Sequence, residues 1–171
     1  MSIEKPIKLF IVEDDWEFSE ELQKDLEASK NSVLDLPFEI KAFETGDECI
    51  KELHQNPELM VIDLRLPGMT GIELLKYVKN YNKDIKTIVL SGQKEVEQVL
   101  EVYKAGADDY LVKNDKYLDE LEQAIIRLTS TIKLKRQVEE LQDQIADRSR
   151  YSSILGNSTA LLSVLKLIQK V

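Results

Sequence analysis

The stretch Met60-Val61-Ile62-Asp63-Leu64-Arg65-Leu66-Pro67-Gly68-Met69-Thr70-Gly71 decides how this chain is read. It drives an apolar run into an aspartate, then turns through a proline and two glycines into a helical pattern. A carboxylate at the mouth of a buried strand is costly unless a cation or a reaction uses it. Asp63 is therefore the fixed point from which the other segments are interpreted.

Four further runs have the character of Leu59–Asp63. They are Ile7–Val12, Phe38–Phe43 after Pro37, Lys86–Ser91 and Asp109–Val112. Helical stripes stand between them: Phe18, Leu22 and Leu26; residues 46–53; Ile72, Leu75 and Val78; and Val96, Val99, Leu100 and Tyr103. Strands alternating with helices of about ten residues predict right-handed crossovers and a parallel sheet covered on both faces. The expected fold is α/β, a doubly wound five-stranded parallel sheet. Ligands of such sheets sit beyond the carboxyl ends of the strands, so function is sought at the last residue of each.

Those strand ends carry chemistry. The first strand runs into Glu13-Asp14-Asp15, carboxylates that repel one another unless a divalent cation sits among them. Oxygen ligands without a nearby His or Cys favour Mg2+, with Asp63 completing the set and the backbone carbonyl of Arg65 able to add one more oxygen. Ser91-Gly92 ends the fourth strand with a hydroxyl that can bond to a phosphoryl oxygen. Lys113 ends the fifth with a point charge that can balance the acids and clamp a phosphate. An acidic pair, a Ser-Gly turn or a lysine is commonplace alone. Their joint order on strands one, three, four and five is not.

Bulk properties are those of an ordinary soluble globular protein. Of 171 residues, 43% are hydrophobic and 32% charged, which is ordinary for a globular chain. The net charge of -9 argues against direct nucleic-acid binding. Charge is unevenly spread: residues 1–126 hold 15 Lys/Arg against 28 Asp/Glu, whereas residues 127–151 hold 6 against 4. Cys49 is the sole cysteine, which excludes an internal disulfide and suits a reducing compartment. No signal-like run follows Met1 and no stretch approaches the ~18 apolar residues of a membrane span, so a cytoplasmic protein without membrane contact is expected.

The last helix overruns the domain. Leu118, Leu121, Ile125, Leu128 and Ile132 alternate spacings of three and four, and Leu134, Val138, Leu141 and Ile145 resume that rhythm in a shifted register. No Pro or Gly occurs between Asp115 and Tyr151. A seam sustained over about four heptads predicts a coiled-coil linker and hence a homodimer through that helix. After Tyr151, Ile154-Leu155-Gly156-Asn157-Ser158 reads as a turn and cap before an apolar helix that includes Ala160, Leu161, Val164, Leu165 and Ile168.

The motifs Ile11-Val12-Glu13-Asp14-Asp15, Asp63 to Gly71, Leu90-Ser91-Gly92 and Ala105-Gly106-Ala107-Asp108-Asp109-Tyr110-Leu111-Val112-Lys113 resemble those of the receiver domain of two-component response regulators, across about residues 6–128. The resemblance implies a flavodoxin-like receiver in which Asp63 accepts a phosphoryl group from a sensor histidine kinase. It implies further that Glu13 and Asp14 hold Mg2+ with Asp63, that Ser91 and Lys113 engage the phosphate, and that Tyr110 changes rotamer with it. The tail resembles the start of the ATPase domain of nitrogen-regulation-type activators, which work with the alternative sigma factor, sigma-54. The expected organisation is a receiver over 1–128, a helical coiled-coil linker over 129–150, and a truncated start of an AAA+ ATPase over 151–171. DNA and sigma-54 RNA polymerase would then be reached only through domains not in this chain. No Gly-rich Lys-Ser/Thr loop is present, so the chain is not expected to act as an ATPase enzyme.

One departure concerns Lys113. The family usually places a proline after it, with a cis bond, where this chain has Asn114. A cis bond there would cost roughly 2.5–4 kcal/mol, so the aim of Lys113 is open, and Asn114 or Asp115 reads also as a helix cap. Two rival readings are weaker. An aspartyl-phosphate hydrolase usually has a second acid two residues after the nucleophile, where Arg65 stands; a phosphorylation-independent pseudo-receiver dimerisation module would not need the intact acid, Ser and Lys set.

Overall fold

The structure is a computed structural model, and it describes residues 5–29, 37–92 and 96–154. Of the predicted ATPase start over residues 151–171, the first four residues belong to the last helix and the rest lie outside the described residues. The chain divides into two compact units, residues 1–130 and 131–171.

In the first unit the strands are β1 (Ile7–Val12), β2 (Phe38–Phe43), β3 (Leu59–Asp63), β4 (Lys86–Ser91) and β5 (Asp109–Val112). The helices are α1 (Trp16–Ser29), α2 (Gly46–Glu52), α3 (Gly71–Tyr81), α4 (Val96–Lys104) and α5 (Tyr117–Ile154), the last continuing into the second unit. A single 3₁₀ turn at Leu53–Gln55 closes α2 and ends on Asn56 in the left-handed region. All strand pairs are parallel and their order is β2-β1-β3-β4-β5, the doubly wound sheet expected. The chain crosses from β1 outward to β2, then back over β1 to β3. Strand order therefore reverses at β1 and β3, and the crevice beyond their carboxyl ends is where such sheets bind ligands.

Burial explains why the strands read so clearly. Every residue of β3 is buried, as is all of β1 except Lys8. Alternate residues face opposite sides. Phe10, Val12, Met60 and Ile62 pack with Cys49 of α2 and with Leu74 and Val78 of α3. Further along that face, Leu75 and Val102 meet Val89, Leu64 and Ala107. Each such side chain contributes about 1.5–3 kcal/mol when removed from water. Cys49 behaves as a small core residue, and burial pushes its thiol pKa up to about 12.

The start of α3 fixes the height of Asp63. Thr70 caps the helix through a capping box: its hydroxyl accepts from the Glu73 N–H at 3.3 Å, and the Glu73 carboxylate accepts from the Thr70 N–H at 2.9 Å. The Gly71 N–H donates to the Leu64 carbonyl at 3.0 Å, bringing the helix back onto the strand. A Cβ on Gly71 would lie 2.2 Å from the Asp63 carbonyl oxygen, so no side chain fits there. Gly68 is glycine for a different reason, its φ of 81°.

At the opposite end of the sheet, the Asp108 carboxylate accepts from Lys79 Nζ at 2.8 Å, Lys86 Nζ at 2.8 Å and the Thr87 N–H at 3.0 Å. Burial pushes this carboxyl upward, but the bonds from Lys79 and Lys86 outweigh burial and hold it below the usual aspartate range.

Two glycine substitutions separate the causes just given. Gly71→Ala is expected to cost about 3 kcal/mol, because the backbone of β3 must move. Gly68→Ala has open space and should cost only about 1–2 kcal/mol, the penalty of a left-handed residue. Urea denaturation of the two variants checks the order; equal losses would refute the close-approach account.

Candidate functional site

The carboxyl ends of the central strands deliver the acidic groups to the crevice. β1 delivers Glu13, which is buried, and Asp14, which is exposed. β3 delivers Asp63, also buried. Glu13, Asp14 and Asp63 each offer an oxygen, and these oxygens all lie within 4.8 Å of one another. Asp15 turns away from that group: its carboxylate accepts from the Phe18 N–H at 3.1 Å and so caps α1.

Lys113 closes the site from β5. Its ammonium lies 2.6 Å from Glu13 Oε2 and 2.8 Å from Asp63 Oδ1. The Lys113 N–H donates to the Ser91 carbonyl at 2.8 Å, so the backbone that aims the lysine is tied to the end of β4. There is no cis bond after Lys113. The lysine reaches both acids through a trans peptide, which resolves the question raised by Asn114. Asn114 takes the helix-start role instead: its side-chain oxygen accepts from the Lys116 N–H at 2.8 Å and its carbonyl from the Tyr117 N–H at 3.0 Å.

The other oxygen of Asp63 accepts from the Arg65 N–H at 2.7 Å. Sequence reasoning assigned Arg65 a carbonyl ligand; the structure adds its N–H as an orienting donor, a contact no sequence signal marks. Ser91 is buried at the end of β4, adjacent to Val112 in the β4–β5 register. Tyr110 is half-buried against the cluster of Leu64, Leu75, Val89, Val102 and Ala107. It also lines a cavity of about 340 Å3 with Val99, Tyr103 and Asn114. Trp16, noted for its closeness to the acids, is 61% exposed at the first position of α1.

The electrostatics are unbalanced. Burial pushes the Glu13 carboxyl above the usual range, and the Asp63 charge adds to the rise while Lys113 opposes it. Burial pushes Lys113 down, but its bonds to Asp63 and Glu13 overcome burial and leave its pKa above the ordinary lysine value. Two of the three clustered carboxylates, Glu13 and Asp63, thus share one ammonium. An all-oxygen donor set short of positive charge fits a hard divalent cation such as Mg2+.

The comparisons with known proteins agree with this geometry. The family model for the response regulator receiver domain matches residues 9–126. Regulatory protein AtoC of Escherichia coli is 28% identical over 153 residues, which span 86% of this chain and 33% of AtoC. The DNA-binding transcriptional regulator NtrC of Proteus hauseri is 26% identical over 135 residues, 77% of this chain and 27% of NtrC. The chain therefore spans about a third or less of the length of these curated relatives. Among solved structures, response regulator TrrA of Thermotoga maritima, in complex with Mg(2+)-BeF, superposes with a TM-score of 0.61 at 27% identity, covering 71% of this chain and 98% of that one.

The pH dependence of stability has a definite sign here. A Glu13 pKa raised above 4.5 favours the native state at low pH, and that benefit is lost as pH rises through the folded value. Glu13→Gln should flatten the fall in stability that sets in as pH rises above the ordinary glutamate pKa. Thermal denaturation across that rise checks it; an unchanged slope would show that Glu13 is not the titrating group.

Proposed function

Because the chain belongs to the response regulator receiver domain family, we propose that Asp63 accepts a phosphoryl group from a phosphohistidine of a sensor kinase and thereby switches an output module. The observation that carries this reading is the Lys113 ammonium, 2.8 Å from Asp63 and 2.6 Å from Glu13, contributed by a strand end a hundred positions from Glu13.

An Asp63 carboxylate oxygen attacks phosphorus, the phosphorus–nitrogen bond breaks, and the imidazole leaves with the bond's electrons and regains a proton. Glu13, Asp14, Asp63 and the Arg65 carbonyl would hold Mg2+, which supplies positive charge opposite the transferring oxygens when bound. The Arg65 N–H holds one Asp63 oxygen and leaves the other for attack. Lys113 follows the new charge away from Glu13, and the Ser91 hydroxyl donates to a phosphoryl oxygen. Tyr110 then moves within the cavity beside Val99 and Tyr103, changing the face formed by α4, β5 and the start of α5. The chain works as a switch and not as a turnover enzyme. A cytoplasmic location suits this partner, and no described helix is long and apolar enough to cross a membrane.

In the second unit, Leu134, Val138, Leu141 and Ile145 are all exposed, at spacings of four, three and four. This stripe supports a homodimer through the linker. The tail's resemblance to nitrogen-regulation-type activators, together with the similarity to AtoC and NtrC, supports a sigma-54-dependent ATPase as the output, with DNA reached through further domains.

Two measurements test the reading. Intact-mass spectrometry after incubation with Mg2+ and acetyl phosphate should show one added phosphoryl group, absent without Mg2+ and absent in Asp63→Asn. No adduct on the wild type would favour a phosphorylation-independent dimerisation module. Sedimentation should show a dimer that Val138→Glu and Leu141→Glu weaken at least about tenfold, since each buries a charge in the seam; unchanged association would place the dimer contact elsewhere.

A further inference from the structure

The Lys113 ammonium has a third neighbour besides its two carboxylates: the face of the Phe18 ring, whose centroid lies 4.3 Å away. Phe18 in turn stacks on Tyr117, with centroids 5.2 Å apart and planes at 28°. The Asp15 cap fixes the turn that carries Phe18, and the Asn114 turn fixes Tyr117. An aromatic pair thus spans from the first turn of α1 to the first turn of α5, directly against the lysine of the site.

Phe18 lies on the same helical stripe as Leu22 and Leu26, yet those two are buried at 0% and 4% exposure while Phe18 stays half-open. Filling the core is therefore not its main role. A lysine stem has four flexible carbons and its ammonium is a compact, mobile charge. Two anionic partners attract it but leave its third proton and one flank open to water. A ring face on that flank excludes water and attracts the cation. The trans peptide at Asn114 gives the lysine no rigid proline to aim it, so the constraint must come from contacts.

We propose that Phe18 and Tyr117 are positioning residues for phosphoryl transfer to Asp63, the Phe18 ring holding the Lys113 ammonium in place and Tyr117 holding the ring. This rests on the reading of Asp63 as the phosphate acceptor. With acetyl phosphate as donor, Asp63 attacks phosphorus, the bridging phosphorus–oxygen bond breaks and acetate leaves. Lys113 must meet the phosphoryl oxygens as charge builds there, and a lysine that wanders meets them less often.

The test replaces Phe18 in the full chain by mono-, di- and trifluorophenylalanine, which withdraw electrons from the ring face at nearly constant shape. Phosphorylation by acetyl phosphate with Mg2+ should slow stepwise, reaching about fivefold for the trifluoro residue, while the melting temperature stays constant. Phe18→Trp should keep the wild-type rate, and Tyr117→Leu should slow transfer without adding to the loss in Phe18→Leu. Equal rates across the fluorine series overturn the proposal. If the wild type takes no phosphoryl group at all, the acceptor reading fails first, and nuclear magnetic resonance then decides the positioning alone. The Lys113 side-chain methylene protons should be shifted upfield by the Phe18 ring and return to the ordinary lysine position in Phe18→Leu; an unshifted wild-type signal overturns it.

Discussion

A single ammonium shared by two buried carboxylates organises this molecule. Glu13 follows β1, Asp63 ends β3 and Lys113 follows β5, so their meeting requires the three strands to be in register and their ends level. The tie from the Lys113 N–H to the Ser91 carbonyl adds the end of β4. Gly71 lets α3 begin against the Asp63 carbonyl instead of displacing it. Bringing these charges out of water is expensive: the bonds of Lys113 overcome its burial, whereas for Glu13 burial prevails. The hydrophobic faces of the sheet supply the stability that the site consumes.

The two ends of the sheet solve opposite problems. At Asp108 two lysines and a backbone N–H serve one carboxylate, and the anion is oversupplied with donors. That end is closed: its carboxyl is held in the charged form and nothing further is required. At the Asp63 end three carboxylates cluster and two of them share one lysine, so the deficit is positive charge. A site left short of cations suits a metal ion and, in the proposed reading, would have reason to rearrange when a phosphoryl group arrives. The same charged residue types therefore anchor one end and leave the other responsive, depending only on the ratio in which they meet.

Most of this was legible in the sequence, and the exceptions have physical causes. Parallel strands covered on both faces read as continuous apolar runs, which is why β1 and β3 stand out and why the five strands fall where the pattern puts them. The meeting of Glu13, Asp63 and Lys113, and the place of Ser91 at the end of β4, were legible because ligand-facing groups in such sheets collect at strand ends. Phe18 was not, because an aromatic on a helical stripe looks like core; only the structure shows its ring face turned to a cation. The role of Asp15 was hidden among three successive acids, where a cap and a ligand look alike until the backbone direction is known. The Asp108 network was equally hidden. Its lysines come from α3 and β4, and neither spacing nor composition pairs them with a strand-end acid.

The exposed stripe on α5 bears on why a dimer here would respond to chemistry at all. Of the seam expected over about four heptads, Leu121, Ile125, Leu128 and Ile132 are buried, which leaves Leu134, Val138, Leu141 and Ile145, about two heptads, exposed on the 38-residue α5. Such a seam is too short to hold two chains tightly without help. A long coiled coil would keep the protein dimeric in every state and would be deaf to the receiver. A short one leaves association near balance, so small changes in the receiver face suffice to shift it: about 1.4 kcal/mol changes the dimer constant tenfold. In the proposed reading, a weak seam is what would let a phosphoryl group on Asp63 govern the assembly.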